Sequence, residues 1–94
     1  LTPPRPAVHH WFVGDGMVHG LRLQDGRASW YRNRWIRSAA VAGALGEAPV
    51  PAPAGRSRDV VNTNVIGHAG RTWALVEAGT APVSLSAELA THAY

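Results

Sequence analysis

The sequence predicts an all-β chain built of short antiparallel hairpins. Three features indicate this class: an Asp-Gly turn between two runs rich in aromatic and β-branched residues, a second pair of such runs around a glycine turn, and a proline-rich connector between the pairs. With 94 residues the chain can form about one small domain. Short hairpins separated by a longer loop suit propeller blades or a sandwich, and this length would supply about two four-stranded blades.

The first hairpin is expected to run over residues 17–23, turn at 24–27 and return over 28–37. Period-two alternation divides the outgoing strand into two faces, of which one is clearly the more apolar. That face carries Met17, His19, Leu21 and Leu23. On the return strand aromatic residues and arginines fall on both faces, so we expect both faces of the hairpin to be partly covered.

The segment after this hairpin is predicted to be a loop. Residues 38–48 are rich in alanine and glycine and could hold a short helical turn, but Gly43 and Gly46 each lower helix propensity by ~1 kcal/mol relative to alanine. The prolines of residues 49–55 remove backbone donors, which favours a surface connector. We therefore expect a variable loop at residues 38–58 inside one partial β domain that spans residues 1–94.

The second hairpin is predicted from a strand at residues 59–67, a turn at 68–70 and a return strand at 71–77. Residues 78–82 contain glycine and proline and should end the return strand. Residues 83–85 could form a short third strand.

Composition excludes several classes of protein. The chain has no cysteine, so disulfide frameworks, thiolate nucleophiles and cysteine-ligated metal sites are ruled out within it. No window approaches the ~20 apolar residues of a membrane span. Nine basic residues against six acidic ones give a net charge of 9 − 6 = +3. All nine are arginine and none is lysine, a usage that hints at a GC-rich bacterial genome. The leucine start and proline-rich opening lead us to expect a piece of a longer protein.

Five histidines raise the question of a metal site, since imidazole is a common metal ligand. His9 and His10 are adjacent and would point to opposite faces, His68 falls in a predicted turn, and His92 has no partner at ligand spacing. His19 is expected to be a core or hydrogen-bonded histidine. A complete metal site inside these 94 residues is therefore not expected.

The second strand of the first hairpin interleaves aromatic residues with cations. Such a pattern can stack bases and contact phosphates, which makes a small single-stranded nucleic-acid binding module an alternative function. The residues concerned are Trp30, Tyr31, Arg32, Arg34, Trp35 and Arg37. A net charge of +3 is small for that role, and we favour an ordinary strand with packed aromatics and solvated arginines. A structural β domain without any site is a further alternative.

Three polar residues stand in the second predicted hairpin, where side chains of this kind are uncommon. Asn62 and Asn64 either tie neighbouring loops together or face a site, and tying is the favoured interpretation. Glu77 extends the face that carries Trp73 and Leu75, where a carboxylate is costly unless it is paired. Glu77 could orient a metal-bound histidine, or it could end the strand and be solvated.

Several blocks, in the same order along the chain, resemble the amino-terminal part of the carotenoid oxygenase family, which includes carotenoid, apocarotenoid and stilbene cleavage dioxygenases. The blocks are His10-Trp11-Phe12-Val13-Gly14-Asp15-Gly16-Met17-Val18-His19, Asp25-Gly26-Arg27, Tyr31-Arg32-Asn33-Arg34, Asp59-Val60-Val61-Asn62-Thr63-Asn64-Val65-Ile66-Gly67-His68-Ala69-Gly70-Arg71 and Ala74-Leu75-Val76-Glu77-Ala78-Gly79. The resemblance implies that these residues form about two blades of a seven-bladed β-propeller.

The resemblance also implies a function for the whole protein. Such an enzyme holds non-haem Fe(II) on four histidines and uses O₂ to cleave a conjugated carbon–carbon double bond of an apolar polyene or stilbene-like substrate. The iron histidines are expected beyond Tyr94, and the isolated segment is expected to be inactive. Glu77 matches the family glutamate that accepts an N–H from an iron-ligating histidine. A cytoplasmic protein, with peripheral membrane contact and no nucleic-acid partner, is the expected setting.

Two departures from the family pattern stand out. Val13 occupies a place where an aspartate is usual, which puts a turn hydrogen bond or local packing in doubt. The loop at residues 39–58 is shorter and richer in proline than is common, which bears on the region above the propeller. Neither departure falls on a residue expected to contact iron.

Overall fold

The structure is a computed structural model that describes residues 2–3, 5–51, 60–77 and 81–93, apart from the side chain of Trp11. After two short 3-10 helices, its elements are β1 (Met17–Gln24), β2 (Arg27–Trp35), α1 (Ala39–Leu45), β3 (Asn64–His68), β4 (Arg71–Leu75), β5 (Val83–Leu85) and β6 (Thr91–Ala93). Strands β1 and β2 form a first sheet, and β3 to β6 form a second sheet in chain order. All pairings are antiparallel, as predicted for a chain of hairpins.

The first hairpin turns through two residues in the left-handed region. Asp25 has φ 50° and Gly26 has φ 72°, the backbone that a two-residue type I′ turn requires. Asp-Gly is a favoured pair for this turn because both residues tolerate positive φ. The predicted turn is thereby confirmed, and β1 and β2 pair from Gln24 and Arg27 at the turn to Met17 and Trp35 at the open end.

The more apolar face of β1 is the exposed one. We call it the odd face. It carries Met17, His19, Leu21 and Leu23 on β1, and on β2 their cross-strand partners Trp35, Asn33, Tyr31 and Ala28. Leu21 and Leu23 are 57% and 70% exposed, whereas Val18 on the opposite face is 5% exposed. The expectation that both faces are partly covered is wrong for most of this face. The second sheet packs on the Val18 side, where Gly20 leaves room for Leu89.

Residues 38–48 contain helix α1, so the prediction of a loop there is wrong. The Ser38 hydroxyl accepts a hydrogen bond from Val41 N at 3.2 Å and caps the first turn. Gly46 does not lie inside the helix; it follows the last turn with φ 70°, the conformation in which glycine is favoured. Val41 and Ala42 are buried. The rest of the predicted variable loop includes residues 52–58, which lie outside the described residues.

The second hairpin is confirmed with shorter strands than predicted. Its turn residues Ala69 and Gly70 have φ 49° and 72°, again a type I′ turn. Strand β4 ends at Leu75, not at residue 77. Its pairing with β5 stops at Ala74 and Val83, and the residue before Val83 is Pro82, which has no N–H to donate. The predicted start of the first strand, Asp59, lies outside the described residues.

The core joins the two sheets. It consists of Val18, Ile36, Val61, Ala74, Val83 and Leu85, with Leu89 packed against it. Strand β5 is buried along its whole length and confirms the suggested third strand. Strand β6, which no pattern in the sequence predicts, pairs with it and completes a four-stranded meander.

Candidate functional site

Glu77 lies in a bend two residues beyond the end of β4, and its side chain is exposed. The alternation that grouped it with Trp73 and Leu75 stops at Leu75, so it does not fix the direction of the carboxylate. None of the hydrogen bonds or ion pairs among the described residues involves that carboxylate. The Glu77 carboxylate is thus accessible to a group from elsewhere in the protein.

The histidines do not converge. His9, His10, His19, His68 and His92 are all exposed. His10 Nδ1 accepts a hydrogen bond from Phe12 N at 3.2 Å, and His19 Nδ1 lies 2.8 Å from the Tyr31 hydroxyl. Across the described ranges, no group of three or more histidine, aspartate or glutamate side chains could hold a metal ion. The described residues therefore do not fit an iron centre by themselves.

Three arginines, Arg32 and Arg34 in β2 and Arg37 just after it, are engaged within the chain. Arg32 forms an ion pair with the Glu88 carboxylate, and Arg34 Nε donates to the backbone oxygen of Glu88 at 2.8 Å. Arg37 pairs with Glu47, which follows α1. These contacts tie β2 to the β5–β6 connection and to the end of the helix.

The two tryptophans of the same strand are partly packed, whereas Tyr31 is exposed. The guanidinium groups of Arg22 and Arg32 lie over the Trp30 ring, 5.5 and 5.2 Å from its centroid, at distances typical of cation–π contacts. Trp30 and Trp35 are half-buried on opposite faces of the hairpin. A base-stacking platform needs exposed ring faces beside free cations, and this strand presents its cations in intramolecular contacts instead.

Asn62 ties the loop that precedes β1 to the second sheet, which confirms the favoured interpretation of that residue. Its side-chain amide donates to Phe12 O at 3.1 Å and to Gly14 O at 2.7 Å. Asn64 acts locally, because its Oδ1 accepts from Val65 N at 2.8 Å. The first of these side chains therefore acts as a clamp between segments about 50 residues apart in sequence.

A cleft of about 260 Å³ lies beside this clamp. It is lined by Met17, Val18, Ile36, Val61, Asn62, Thr63, Asn64, Val65 and Ala74. Ligand pockets usually measure ~300 to 1,000 Å³, so this cleft is at the small end for a substrate. None of these lining side chains is ionisable.

The β5–β6 pairing brings together a serine and a histidine that the sequence does not associate. Ser84 Oγ lies 3.5 Å from His92 Nδ1 and donates to Ala93 O at 3.2 Å. Ser84 is only 2% exposed. A buried hydroxyl already bonded to a carbonyl is positioned to satisfy the strand pair, and it is not accessible as a nucleophile.

Within the described part of the chain, no helix is both long enough and apolar enough to cross a membrane.

Comparison with known proteins shows which family the chain matches. Residues 2–92 match the family model described as retinal pigment epithelial membrane protein. The carotenoid cleavage oxygenase of Mycobacterium tuberculosis is 55% identical over 89 residues, which cover 92% of this chain and 18% of that protein. No solved structure matches the chain.

Two further relatives differ in the substrates that their names give. The carotenoid 9,10(9',10')-cleavage dioxygenase 1 of Pisum sativum is 54% identical over 33 residues, or 35% of this chain and 6% of that protein. The resveratrol cleavage oxygenase 1 of Aspergillus fumigatus is 36% identical over 85 residues, or 80% of this chain and 17% of that protein. The chain thus spans less than a fifth of the length of these curated relatives.

Proposed function

Because this chain belongs to the carotenoid oxygenase family, we propose that the whole protein is an oxygenase that cleaves a conjugated carbon–carbon double bond with O₂. The observation that carries the proposal is the 55% identity to a carotenoid cleavage oxygenase across 92% of the chain. We propose that the substrate is an apolar conjugated molecule of one of two kinds. The first kind is a carotenoid or an apocarotenoid, and the second is a stilbene. Relatives named for carotenoid and for resveratrol cleavage support both kinds.

We propose that the two sheets are the first blades of a seven-bladed propeller. The second sheet has the form of one blade, since four short strands follow one another antiparallel in chain order. The first sheet has two strands and would be completed by strands from elsewhere in the protein. The segment by itself lacks a metal-binding group among its described residues, so we expect it to be inactive alone.

In the whole protein we propose an Fe(II) centre whose histidine ligands lie in the polypeptide after this segment. Bound iron would supply the activation of O₂. The segment's contribution would be Glu77, whose accessible carboxylate could accept an N–H from an iron-ligating histidine and so fix the orientation of that ring. We further propose a cytoplasmic protein with peripheral membrane contact, because polyene substrates are apolar and partition into membranes.

The proposed reaction is tested on the full-length protein, purified and loaded with Fe(II). An apocarotenal and resveratrol are supplied separately in air, and products are identified by mass spectrometry. The expected result is loss of the conjugated absorption and formation of two carbonyl products from at least one substrate. Failure of the iron-loaded protein to cleave any member of a panel of carotenoids, apocarotenals and stilbenes would overturn the proposal.

The role of Glu77 is tested by Glu77→Gln in the same full-length protein. Loss of a carboxylate that orients a metal ligand typically lowers metal affinity or activity by ~10 to 100-fold. We expect a loss of that size in iron occupancy and turnover, with an unchanged melting temperature of the metal-free protein. The matched control is Glu88→Gln, which removes an exposed carboxylate paired with Arg32. Iron content and turnover equal to wild type in Glu77→Gln would sink the role.

A further inference from the structure

The end of the β3–β4 pair that leads to Glu77 also carries Asn62. The two strands pair as far as Asn64 and Leu75, and Thr63 N then donates to Leu75 O at 3.0 Å. Asn62 directly precedes Thr63 in the chain. Glu77 follows Leu75 by two residues. Because the strands of an antiparallel pair run in opposite directions, Asn62 and Glu77 lie at the same end of the sheet.

Asn62 holds the loop that precedes β1 at this end of the sheet. Its side-chain amide donates both of its hydrogens, to Phe12 O at 3.1 Å and to Gly14 O at 2.7 Å. The far end of the same loop is fixed independently, because Ile36 N donates to Gly16 O at 2.8 Å. Loss of the Asn62 amide would therefore release the part of the loop around Phe12 and Gly14 while Gly16 stays in place.

The part of the loop that Asn62 holds presents an aromatic surface. Phe12 is 56% exposed, and the His10 ring lies 5.0 Å from it between centroids, at an interplanar angle of 45°. Sites for apolar ligands are lined mainly by hydrophobic and aromatic side chains, and a few polar groups fix the orientation of the ligand. The position of this aromatic surface depends on the Phe12 backbone oxygen, which Asn62 binds.

We propose that Asn62 is a positioning residue for the conjugated substrate, which it aligns through the loop that it holds beside the strand end leading to Glu77. The proposal rests on the reaction proposed above, in which O₂ gives one oxygen atom to each carbon of the cleaved double bond. A polyene has several similar double bonds, so the bond that is cleaved depends on how far the chain slides along the site. A stilbene has a single double bond between its rings and offers no such choice.

The test is Asn62→Ala in the full-length, iron-loaded protein, with an apocarotenal and resveratrol as separate substrates. We expect kcat/KM for the apocarotenal to fall by ~10 to 100-fold, because a misplacement of about 1 Å can cost ~100-fold. We also expect new carbonyl products from double bonds next to the one that the wild type cleaves. Resveratrol should give the same two products as with wild type, at a lower kcat/KM. The iron content should equal that of wild type.

The matched control is Ser86→Ala, which also removes a side chain with two hydrogen bonds to the backbone. Ser86 Oγ accepts from Glu88 N at 3.2 Å and from Ala90 N at 3.1 Å. Ser86 follows β5 at the end of the sheet opposite to Glu77. We expect the two variants to lower the melting temperature by similar amounts, whereas only Asn62→Ala changes kcat/KM and the product pattern.

Wild-type kcat/KM and products in Asn62→Ala would overturn the positioning role, and so would equal changes in both variants, which lost stability alone would explain. Apocarotenal binding is also measured without O₂, by quenching of tryptophan fluorescence. A wild type that binds the apocarotenal but cleaves nothing overturns the proposed reaction alone, and the dissociation constant of Asn62→Ala, expected to rise at least ~10-fold, then decides the positioning role. A wild type that does not bind it overturns both. Should Asn62→Ala not fold, Asn62→Ser, which keeps one donor, gives the same decision.

Discussion

Gly16→Ala tests a close backbone approach between the residue before β1 and the segment that leads into β3. A Cβ on residue 16 would lie 1.8 Å from the carbonyl oxygen of Val61 and 3.2 Å from Ile36 Cγ1. Real Cβ atoms essentially never come closer than 3.0 Å to another heavy atom, so the two backbones would have to separate by 3.0 − 1.8 = 1.2 Å. Val61 is 2% exposed and cannot retreat into solvent.

The cost follows from what such a separation disturbs. Overpacking of a tight site usually costs about 1 to 3 kcal/mol. Asn62, the next residue after Val61, would lose at least one of its two hydrogen bonds to the loop before β1, which adds about 1 kcal/mol. We therefore expect Gly16→Ala to lower the free energy of unfolding by about 2 to 4 kcal/mol.

The matched control is the same substitution at a glycine with free space. Apart from its chain neighbours and the backbone of its own helix, nothing lies within 4 Å of a Cβ built on Gly43 in the middle of α1. Alanine is favoured over glycine in a helix by about 0.5 to 1 kcal/mol, so Gly43→Ala should stabilise. Urea unfolding of the two full-length variants, followed by tryptophan fluorescence, gives both values. A Gly16→Ala midpoint equal to wild type, or shifts of the same sign in both variants, would refute the reasoning.

Three further substitutions probe single contacts by the same unfolding measurement. Asn62→Ala removes both hydrogen bonds of the clamp and should cost about 1 to 2 kcal/mol; an unchanged midpoint would show that the clamp does not stabilise the fold. Ala69→Gly relieves a non-glycine residue at φ 49° and should stabilise by about 0.5 to 1 kcal/mol, whereas destabilisation would contradict a strained turn. Glu88→Gln removes an exposed partner of Arg32 and should cost less than about 1 kcal/mol, an effect that high salt reduces. A loss above about 2 kcal/mol would mean that this ion pair is not an ordinary surface contact.

The features that the sequence predicts well are local. Asp25-Gly26 and Ala69-Gly70 lie between strands, and both adopt the backbone that a two-residue hairpin turn needs. Their prediction depends on residues adjacent in the chain. The pairing of the two strands in each hairpin then follows, because a tight turn places the second strand beside the first.

The features that the sequence predicts poorly depend on distant residues. Alternation separates the two faces of β1, but it does not tell which face the second sheet covers; that choice is set by Gly20, which accommodates Leu89 from a turn about 70 residues later. The sequence does not predict helix α1 because Gly46 lowers the helix propensity of residues 38–48 if it is taken as an interior residue. In the structure Gly46 stands after the last turn, where glycine favours helix termination.

The aromatic and arginine run of β2 shows how a functional pattern can serve the fold. Its arginines contact Glu88, and the following residue, Leu89, has φ 63°, a conformation unfavourable for leucine. A strained residue persists only where its surroundings over-determine it. Here the hydrogen bond from Arg34 Nε to the backbone oxygen of Glu88, the bond from Leu89 N to Ser86 O at 2.9 Å and the packing on Gly20 act together. Because these contacts share one turn, their energies should not be additive. When one contact is lost, the others still hold the two sheets together.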